Sequence, residues 1–434
     1  MFFPLRSSSR MSAPASPLRL VQAGVFLSFA ALFAVPSGSS YGAALLLLAS
    51  LIWLAQRPSL PALRRADHVL IAALLAYFLV PSAMTLALGN SVNNLDEYVR
   101  ALLAVPVLLL LLHTPVRLGV LWTAIIVGVT LSAPLAWWQV DMLHMDRAPG
   151  FLNIIHFSNL SLVFTIYCAA GLYWAGTLGR QAGRWRAAFL LGAACGLYSV
   201  IVGGSRGSWV ALPPVLLLFV ASFITRRNWA RLAAACALCL VLLGGLFAWP
   251  DGPLQQRYER AVQDITLYQR EQTDTSIGAR FEMWRGAWDN LQHHPVAGWN
   301  LQDYTEALRA QVAAGRVTPV ALQFSDNLHN NYLQAWVFTG LPGLLALLTL
   351  YGLPFALFCR RLRAPDPTVR TLAFCGAATV LSYGCFSLSQ VMLHRNNGIM
   401  FYLLAVIILW ALLRQTQDRL ANTRRRAVAP PPQS

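Results

Sequence analysis

Long runs of apolar residues, separated by short polar breaks, make up most of this chain. Runs of about 17–25 apolar residues are long enough to cross a lipid bilayer as helices. One polar segment, 250–328, interrupts the pattern for much longer than any other. The pattern predicts an all-α polytopic membrane protein of about twelve transmembrane helices. The predicted spans are 20–35, 42–56, 68–88, 97–113, 118–139, 157–177, 187–202, 208–225, 231–249, 329–358, 368–390 and 398–414.

The composition of the chain agrees with a membrane protein. Hydrophobic residues make up 57% of it, charged residues make up 12%, and its mean hydropathy is +0.53. Such values are typical of polytopic membrane proteins and argue against an ordinary soluble domain. The 7 cysteines lie in or at the ends of predicted spans, so we expect no disulfide framework. The first apolar run follows a basic head, and we interpret it as an uncleaved anchor.

The net charge of +16 comes from arginine, since the chain contains no lysine. Arginines gather in both tails and in alternate loops, for example at 64–65, 184–186, 226–231 and 360–363. Positively charged loops stay on the cytoplasmic side, so both termini are predicted inside and the long polar segment outside. The basic excess then reflects topology and contact with membrane lipids, and we expect no nucleic-acid partner. The predicted divisions are a cytoplasmic tail 1–18, transmembrane helices one to nine within 19–249, an outer helical loop 250–328, helices ten to twelve within 329–414 and a cytoplasmic tail 415–434.

The outer loop contains two stretches with helical periodicity. The first, 254–270, is amphipathic. The second has apolar residues spaced four and three apart, which places them on one helical face. They are Ile277, Phe281, Trp284, Trp288 and Leu291. Such a face suits a helix at the membrane interface, or one that packs on the spans beneath. Both alternatives make the loop a lid over the outer face.

Polar residues crowd the start of the tenth predicted span, in the segment 325–343. They are Asp326, Asn327, His329, Asn330 and Asn331. If Ser325, Asp326 or Asn327 caps this helix, His329 lies in its first turn. There the helix dipole favours neutral imidazole, the form that a general base needs. The alternative is a polar helix cap at the membrane surface.

Several outer segments, distant in sequence, each contain an arginine. They are Arg100, Arg147, Arg206, Arg280 and Arg395. Guanidinium groups match phosphate oxygens in bidentate fashion, so a shared cleft of arginines favours an anionic ligand with a lipid tail. Each arginine alone could instead be snorkelling or salt-bridged. Arg206 favours function most strongly, because flanking Gly and Ser leave its side chain unshielded.

Other chemical motifs are scarce. The sequence has no Walker motif, no GxGxxG and no HExxH, so we expect neither a nucleotide cofactor nor a metal site. Asp96 and Glu97 form the one adjacent acidic pair, at an outer helix start. They could be an acid site, and helix capping is the alternative.

Four motifs resemble a known family. His329-Asn330 followed by Gly340-Leu341-Pro342-Gly343 is similar to the His-Asn…Gly-x-x-Gly signature of bacterial O-antigen ligases. The turn at 204–207, the helix beginning near Arg280 and the turn at 294–298 resemble the wider superfamily. That superfamily also includes O-antigen polymerases and protein O-oligosaccharyltransferases. The resemblance is strongest over about residues 200–400.

The resemblance implies a GT-C-like glycosyltransferase of the bacterial inner membrane. It would move O-antigen from undecaprenyl diphosphate to lipid A-core in the periplasmic leaflet, with inversion and without a cofactor. His329 as base and Arg206 and Arg280 as diphosphate ligands match motif positions. Arg147, Arg100 and Arg395 lie on the same predicted membrane face, so we also expect them in the diphosphate site. We expect Asp326, Asn330 and Ser205 to be supporting residues there.

Three other functions fit parts of the pattern. An O-antigen polymerase would use the same donor with another lipid-linked chain as acceptor. A protein O-oligosaccharyltransferase usually has more soluble sequence after its spans than this chain has. A twelve-helix lipid or sugar transporter should place its polar residues in the middle of the membrane. The polar residues here gather at one face, which favours an enzyme.

Overall fold

The computed structural model describes residues 15–225, 229–230, 244–245 and 252–428. Within these ranges the regular elements are helices, and no β-strand occurs. The α-helices are α1 (Ala15–Ala30), α2 (Gly38–Ala55), α3 (Arg65–Ala87), α4 (Leu95–His113), α5 (Leu118–Trp137), α6 (Ile154–Ala175), α7 (Ala182–Gly203), α8 (Arg206–Phe223), α9 (Pro253–Gln269), α10 (Gly278–His293), α11 (Leu301–Ala313), α12 (Asn331–Cys359), α13 (Pro367–Phe386) and α14 (Asn396–Val428).

Apolar helices dominate the described part of the chain, and 9 of them are long and apolar enough to cross a membrane. They are α2, α3, α5, α6, α7, α8, α12, α13 and α14, and a shorter apolar helix covers Leu18–Ala30. Each predicted span except 231–249, of which only residues 244–245 are described, overlaps a helix. The chain is therefore an all-α, multi-pass membrane protein, as its hydropathy pattern predicts.

The last helix is longer than the sequence pattern predicts. The apolar run ends at 414, whereas α14 continues to Val428. Arginine, glutamine and leucine are good helix formers, so a helix can outlast its apolar stretch. Side-chain contacts also hold this extension, because Gln415 Nε2 donates to the carbonyl oxygens of Leu111 and Thr114 at 2.6 and 2.8 Å.

A buried ion pair joins α3 and α14 at one end of the helix bundle. Asp67 is fully buried and accepts hydrogen bonds from Arg414 Nε at 3.0 Å and from Trp410 Nε1 at 2.8 Å. Burying two charges is costly unless they are paired and hydrogen-bonded. The candidate site lies at the opposite end, where α6, α8, α12 and α14 begin.

The polar segment folds as a small helical layer on that opposite end. Its helices α10 and α11 share a second apolar core with residues just before and within α12, and α9 contacts α10. The predicted aromatic face of α10 is only partly buried, since Leu291 is 2% exposed whereas Phe281 and Trp288 stay 37% and 55% exposed. The rest of the buried side consists of Ala279, Met283, Gly286 and Ala287.

A sharp kink in α12 joins this layer to the membrane helices. Gly340 has φ 65°, which divides α12 into two helical parts. The turn after α10 fills the gap that the kink opens. There Leu341 N donates to Val296 O at 3.0 Å, and Trp299 N donates to Val337 O at 2.7 Å. Two of the motifs that resemble the ligase family are thus in direct contact.

Candidate active site

His329 lies just before α12, in a tight turn. Its backbone has φ 47°, and Asn330 is the N-cap of the helix. Asn330 Oδ1 accepts hydrogen bonds from the amides of Tyr332 at 3.0 Å and Leu333 at 3.1 Å. The expectation that His329 occupies the first helical turn, behind a cap within 325–327, is therefore wrong. Its protonation depends mainly on burial and on neighbouring side chains.

One buried amide fixes the orientation of the His329 ring. Nδ1 of His329 lies 2.8 Å from Oε1 of Gln390, which is 3% exposed. An amide oxygen can only accept, so Nδ1 carries the proton in this pair and Nε2 is left as a base. The pair presents the neutral tautomer that general-base catalysis requires.

The surroundings of His329 disfavour its charged form. Burial lowers the pKa of His329 below its ordinary value, and the guanidinium groups of Arg280 and Arg395 lower it further. The hydrogen bond with Gln390 and the carboxylate of Asp326 oppose that shift in pKa without reversing it. The imidazole is thus poised as a base near neutral pH.

Four arginines from separate segments line one cleft, here named the arginine cleft. Arg147 precedes α6, Arg206 opens α8 and Arg280 lies in the first turn of α10, and Arg260 of α9 also lines the cleft. Burial lowers the pKa of Arg280, and so does the charge of Arg206. Such mutual repulsion is relieved when an anion binds between the guanidinium groups.

The arginines of this cleft are held by identifiable partners. Arg206 Nη1 lies 3.0 Å from Asp264 Oδ2. Arg147 donates from Nε and Nη2 to the carbonyl oxygens of Gly203 and Gly204, both at 2.9 Å, and so supports the turn that presents Arg206. Within the described part of the chain, Arg280 forms no ion pair. Arg280 is therefore available for an anionic ligand.

Hydrogen bonds between buried polar side chains stabilise the turn before α8. Ser205 is 3% exposed, and its hydroxyl donates to Asn159 Oδ1 at 3.3 Å. Ser208 donates to the same oxygen at 2.7 Å. Ser205 thus supports the turn, and its hydroxyl is directed to Asn159.

A second cleft continues from the arginine cleft towards His329. The two share Ile155, Ser276 and Arg280, and the second is also lined by His329 and Phe324. Arg280 therefore lies between the other arginines and the imidazole. This continuous surface places cationic groups and a neutral base within reach of one ligand.

Two of the expected arginines lie elsewhere. Arg100 pairs with Asp96 and lines an apolar cleft among α2, α4 and α14, so the structure does not bring it to the arginine cleft. Arg100 was expected in the diphosphate site only because it lies on the same predicted membrane face as the other arginines, and that argument did not determine which cleft it lines. Arg395 is exposed before α14 and acts on His329 through its charge. Asp326 is also exposed and faces a different cavity.

The sequence pattern did not indicate two residues of the site, Gln390, which contacts His329, and Asp264, which contacts Arg206. The predicted span 368–390 treats Gln390 as a membrane residue, whereas α13 ends at Phe386. Three of the last four residues of that span, Ser387, Ser389 and Gln390, are polar, and they were the available signal that the helix ends earlier. Asp264 gave no signal, because one acid on an amphipathic helix is ordinary.

Comparison with known proteins finds the same family that the sequence motifs resemble. Residues 191–348 match the family model described as O-Antigen ligase, a range that contains Arg206, Arg280 and His329. An uncharacterized protein of Haemophilus influenzae is 25% identical over 391 residues, which cover 88% of this chain and 96% of that protein. An O-antigen ligase of Escherichia coli is 27% identical over 173 residues, which cover 39% of this chain and 40% of that protein.

Proposed function

Because the chain belongs to the O-antigen ligase superfamily, we propose that it ligates O-antigen polysaccharide from undecaprenyl diphosphate onto lipid A-core oligosaccharide. One observation carries the proposal. Arg147, Arg206 and Arg280 line a cleft that continues to His329. Guanidinium groups suit a diphosphate, and a neutral imidazole suits a hydroxyl group that must lose its proton.

The arginine cleft binds the donor in this mechanism. The diphosphate accepts hydrogen bonds from Arg206 and Arg280, and Arg206 exchanges part of its contact with Asp264 for the stronger anion. Negative charge grows on the diphosphate as its bond to the sugar breaks, and preorganised cations stabilise that charge. The leaving group is already activated, so the proposed reaction uses neither a nucleotide nor a metal ion.

His329 activates the acceptor. Its Nε2 removes the proton of an acceptor hydroxyl, and that oxygen attacks the anomeric carbon of the donor sugar. The new glycosidic bond forms as the bond from carbon to the diphosphate oxygen breaks, so undecaprenyl diphosphate leaves. Attack opposite the leaving group inverts the anomeric centre. Gln390 accepts from Nδ1–H, so the Nε2 lone pair is free to take the proton of the acceptor hydroxyl.

We place this reaction on the periplasmic face of the bacterial inner membrane. The arginine-rich loops lie at the end that contains Asp67 and Arg414, and positive loops stay in the cytoplasm. The layer of α9, α10 and α11 then forms a periplasmic lid. Its contacts with the kink of α12 hold Arg280 beside His329.

A deletion strain tests the proposed function. We expect lipid-linked O-antigen polymer to accumulate while lipopolysaccharide lacks O-antigen, and the wild-type gene should restore attachment. The His329→Ala variant should not, since loss of a general base lowers rates by about 10²–10⁴-fold. Single repeat units attached to lipopolysaccharide, with no polymer, would instead identify a polymerase.

Reconstituted protein tests the chemistry directly. Purified wild-type protein, lipid-linked O-antigen and lipid A-core should yield ligated product in excess EDTA without ATP. An absolute requirement for added Mg²⁺ or Mn²⁺ would contradict the arginine-only mechanism. It would direct attention to carboxylates such as Asp96, Asp146 or Asp326.

A further inference from the structure

A second cavity borders the same 326–331 segment through different side chains. His329 lines the cleft that leads to the arginines, whereas Asp326 and Asn331 line this other cavity. The end of α3, the start of α4 and the first part of α12 form its walls. We name it the α3–α4–α12 cavity.

The charge of the α3–α4–α12 cavity contrasts with that of the arginine cleft. Its lining includes the carboxylates of Glu97 and Asp326 and, among the described residues, no arginine. His394 Nδ1 lies 3.3 Å from Glu97 Oε2, so a protonated His394 balances only one of the two carboxylates. A diphosphate is disfavoured here, since like charges repel at close range.

The neutral side chains of the cavity are those that recognise sugars. The lining includes the amide of Asn94 and the phenol ring of Tyr98. Tyr77 donates to Glu97 Oε1 at 2.5 Å, which orients the carboxylate while leaving lone pairs for further donors. Sugar hydroxyls bind to carboxylates and amides, and the apolar faces of sugar rings pack on aromatic rings.

Asn331 provides an independent indication of a ligand. It is 3% exposed, lines the cavity and accepts a hydrogen bond from Leu393 N at 3.1 Å through Oδ1. Its Nδ2 has no acceptor within the described residues. This donor is therefore available to a ligand hydroxyl oxygen in the cavity.

We propose that the α3–α4–α12 cavity is the acceptor subsite and holds uncharged sugar rings of the core oligosaccharide. This inference rests on the proposed function. An inverting displacement needs the acceptor and the diphosphate on opposite sides of the anomeric carbon. The α3–α4–α12 cavity borders the 326–331 segment through Asp326 and Asn331, and the cleft that continues to the arginines borders it through His329, so the two candidate subsites meet at this segment.

Substitutions in the cavity separate acceptor binding from donor binding. Asn94→Ala removes a side chain that makes no cap hydrogen bond, and Glu97→Gln keeps an acceptor for Tyr77. Each should raise the acceptor KM about tenfold, the effect of one lost hydrogen bond to a ligand. The donor KM and kcat should stay near wild type. Asn93→Ala is the matched control, because Asn93 is an exposed neighbour outside the cavity lining.

Direct binding distinguishes failure of the subsite from failure of the proposed function. The probe is the neutral hexose oligosaccharide released from the outer core, added to detergent-solubilised protein without donor. Saturation-transfer NMR should show contact with wild-type protein and with Asn93→Ala, and weaker contact with Glu97→Gln. Binding by a wild-type protein that catalyses no ligation would refute the ligase function and support the subsite. An unchanged acceptor KM in both cavity variants, or an equal rise of both KM values, would overturn the subsite.

Discussion

His329 combines a half-buried imidazole with two nearby cations. Its pKa is lowered first by burial and then by Arg280 and Arg395, so the neutral form persists below the ordinary histidine range of about 6.5. If His329 is the base, as we propose, the rate should fall on acidification as the imidazole becomes protonated, which gives an acid limb in the pH dependence. At higher pH the imidazole is neutral, and the rate should be level.

We expect Arg395→Gln to move this acid limb to higher pH. Removing a cation makes protonation of His329 easier, so its pKa rises and activity is lost earlier on acidification. The shift should be a fraction of a pH unit, because Arg395 is exposed and solvent screens its charge. The measurement is kcat against pH over about pH 5–8. Arg309→Gln, at an exposed arginine of α11, is the control, and an unmoved limb in Arg395→Gln would contradict the assignment.

Gln390 should affect the reaction rate because it keeps His329 in the tautomer that is protonated on Nδ1. Gln390→Leu leaves Nδ1–H without its acceptor, and we expect kcat to fall roughly 10-fold to 100-fold. Gln390→Glu keeps an acceptor but adds a negative charge, which raises the pKa of His329. Its activity should therefore recover as pH rises, whereas that of Gln390→Leu should not. Equal recovery of both variants would argue against orientation by this amide.

Arg206 should depend on the shape of its side chain as well as on its charge. Arg206→Lys keeps the charge and loses the bidentate fork, so we expect a partial loss of transfer rate. Arg206→Ala should lose about 10²-fold or more, as other preorganised charge-stabilising groups do. Initial rates in reconstituted protein measure both. Arg309→Ala should behave as wild type, and a fully active Arg206→Lys would mean that charge alone suffices.

The contact between the α10 turn and the kink of α12 is the element that aligns the site. A Cβ at Gly340 would lie 2.3 Å from Val296 O, and Gly340 also has a positive φ. Across the contact, Gly298 has φ 78°, and its Cβ would lie 2.6 Å from Gly340 N. Neither position accommodates a larger side chain without moving α12 away from the lid.

Gly340→Ala should therefore lower both stability and activity. Strain at a positive φ costs on the order of 1–3 kcal/mol, and the clash with backbone oxygen adds to it. Thermal unfolding in detergent and the transfer rate are the two measurements. Gly352→Ala in the same helix is the control, since its Cβ would meet nothing within 4 Å. A wild-type melting temperature for Gly340→Ala would show that the kink can relax.

For the whole molecule, the distribution of arginine predicts which end faces the periplasm. Alkaline phosphatase inserted after the exposed Gln272 should be active, because the lid is expected outside. The same reporter at the C-terminus should be inactive, and a cytoplasmic fluorescent reporter there should fluoresce. A cytoplasmic signal at 272 would place the arginine cleft on the wrong side for the proposed reaction.

The sequence alone predicted those features that depend on residues close together in the chain. The length of the apolar runs located the membrane helices, and the clustered motifs indicated His329, Arg206 and Arg280. The exact start of α12 was missed. Which of several adjacent polar side chains caps a helix depends on local backbone geometry that composition does not reveal.

The tertiary structure decided which of these residues meet. Gln390 reaches His329 from 61 positions away, and Asp264 reaches Arg206 from 58 positions away. Arg100 shares the predicted membrane side of the other arginines, yet its helix directs it to a different cleft. Hydropathy and periodicity are local properties that determined the helices and the membrane class. Contacts across the bundle depend on how helix faces pack against one another, so only the folded chain could bring His329, Gln390 and the arginines together.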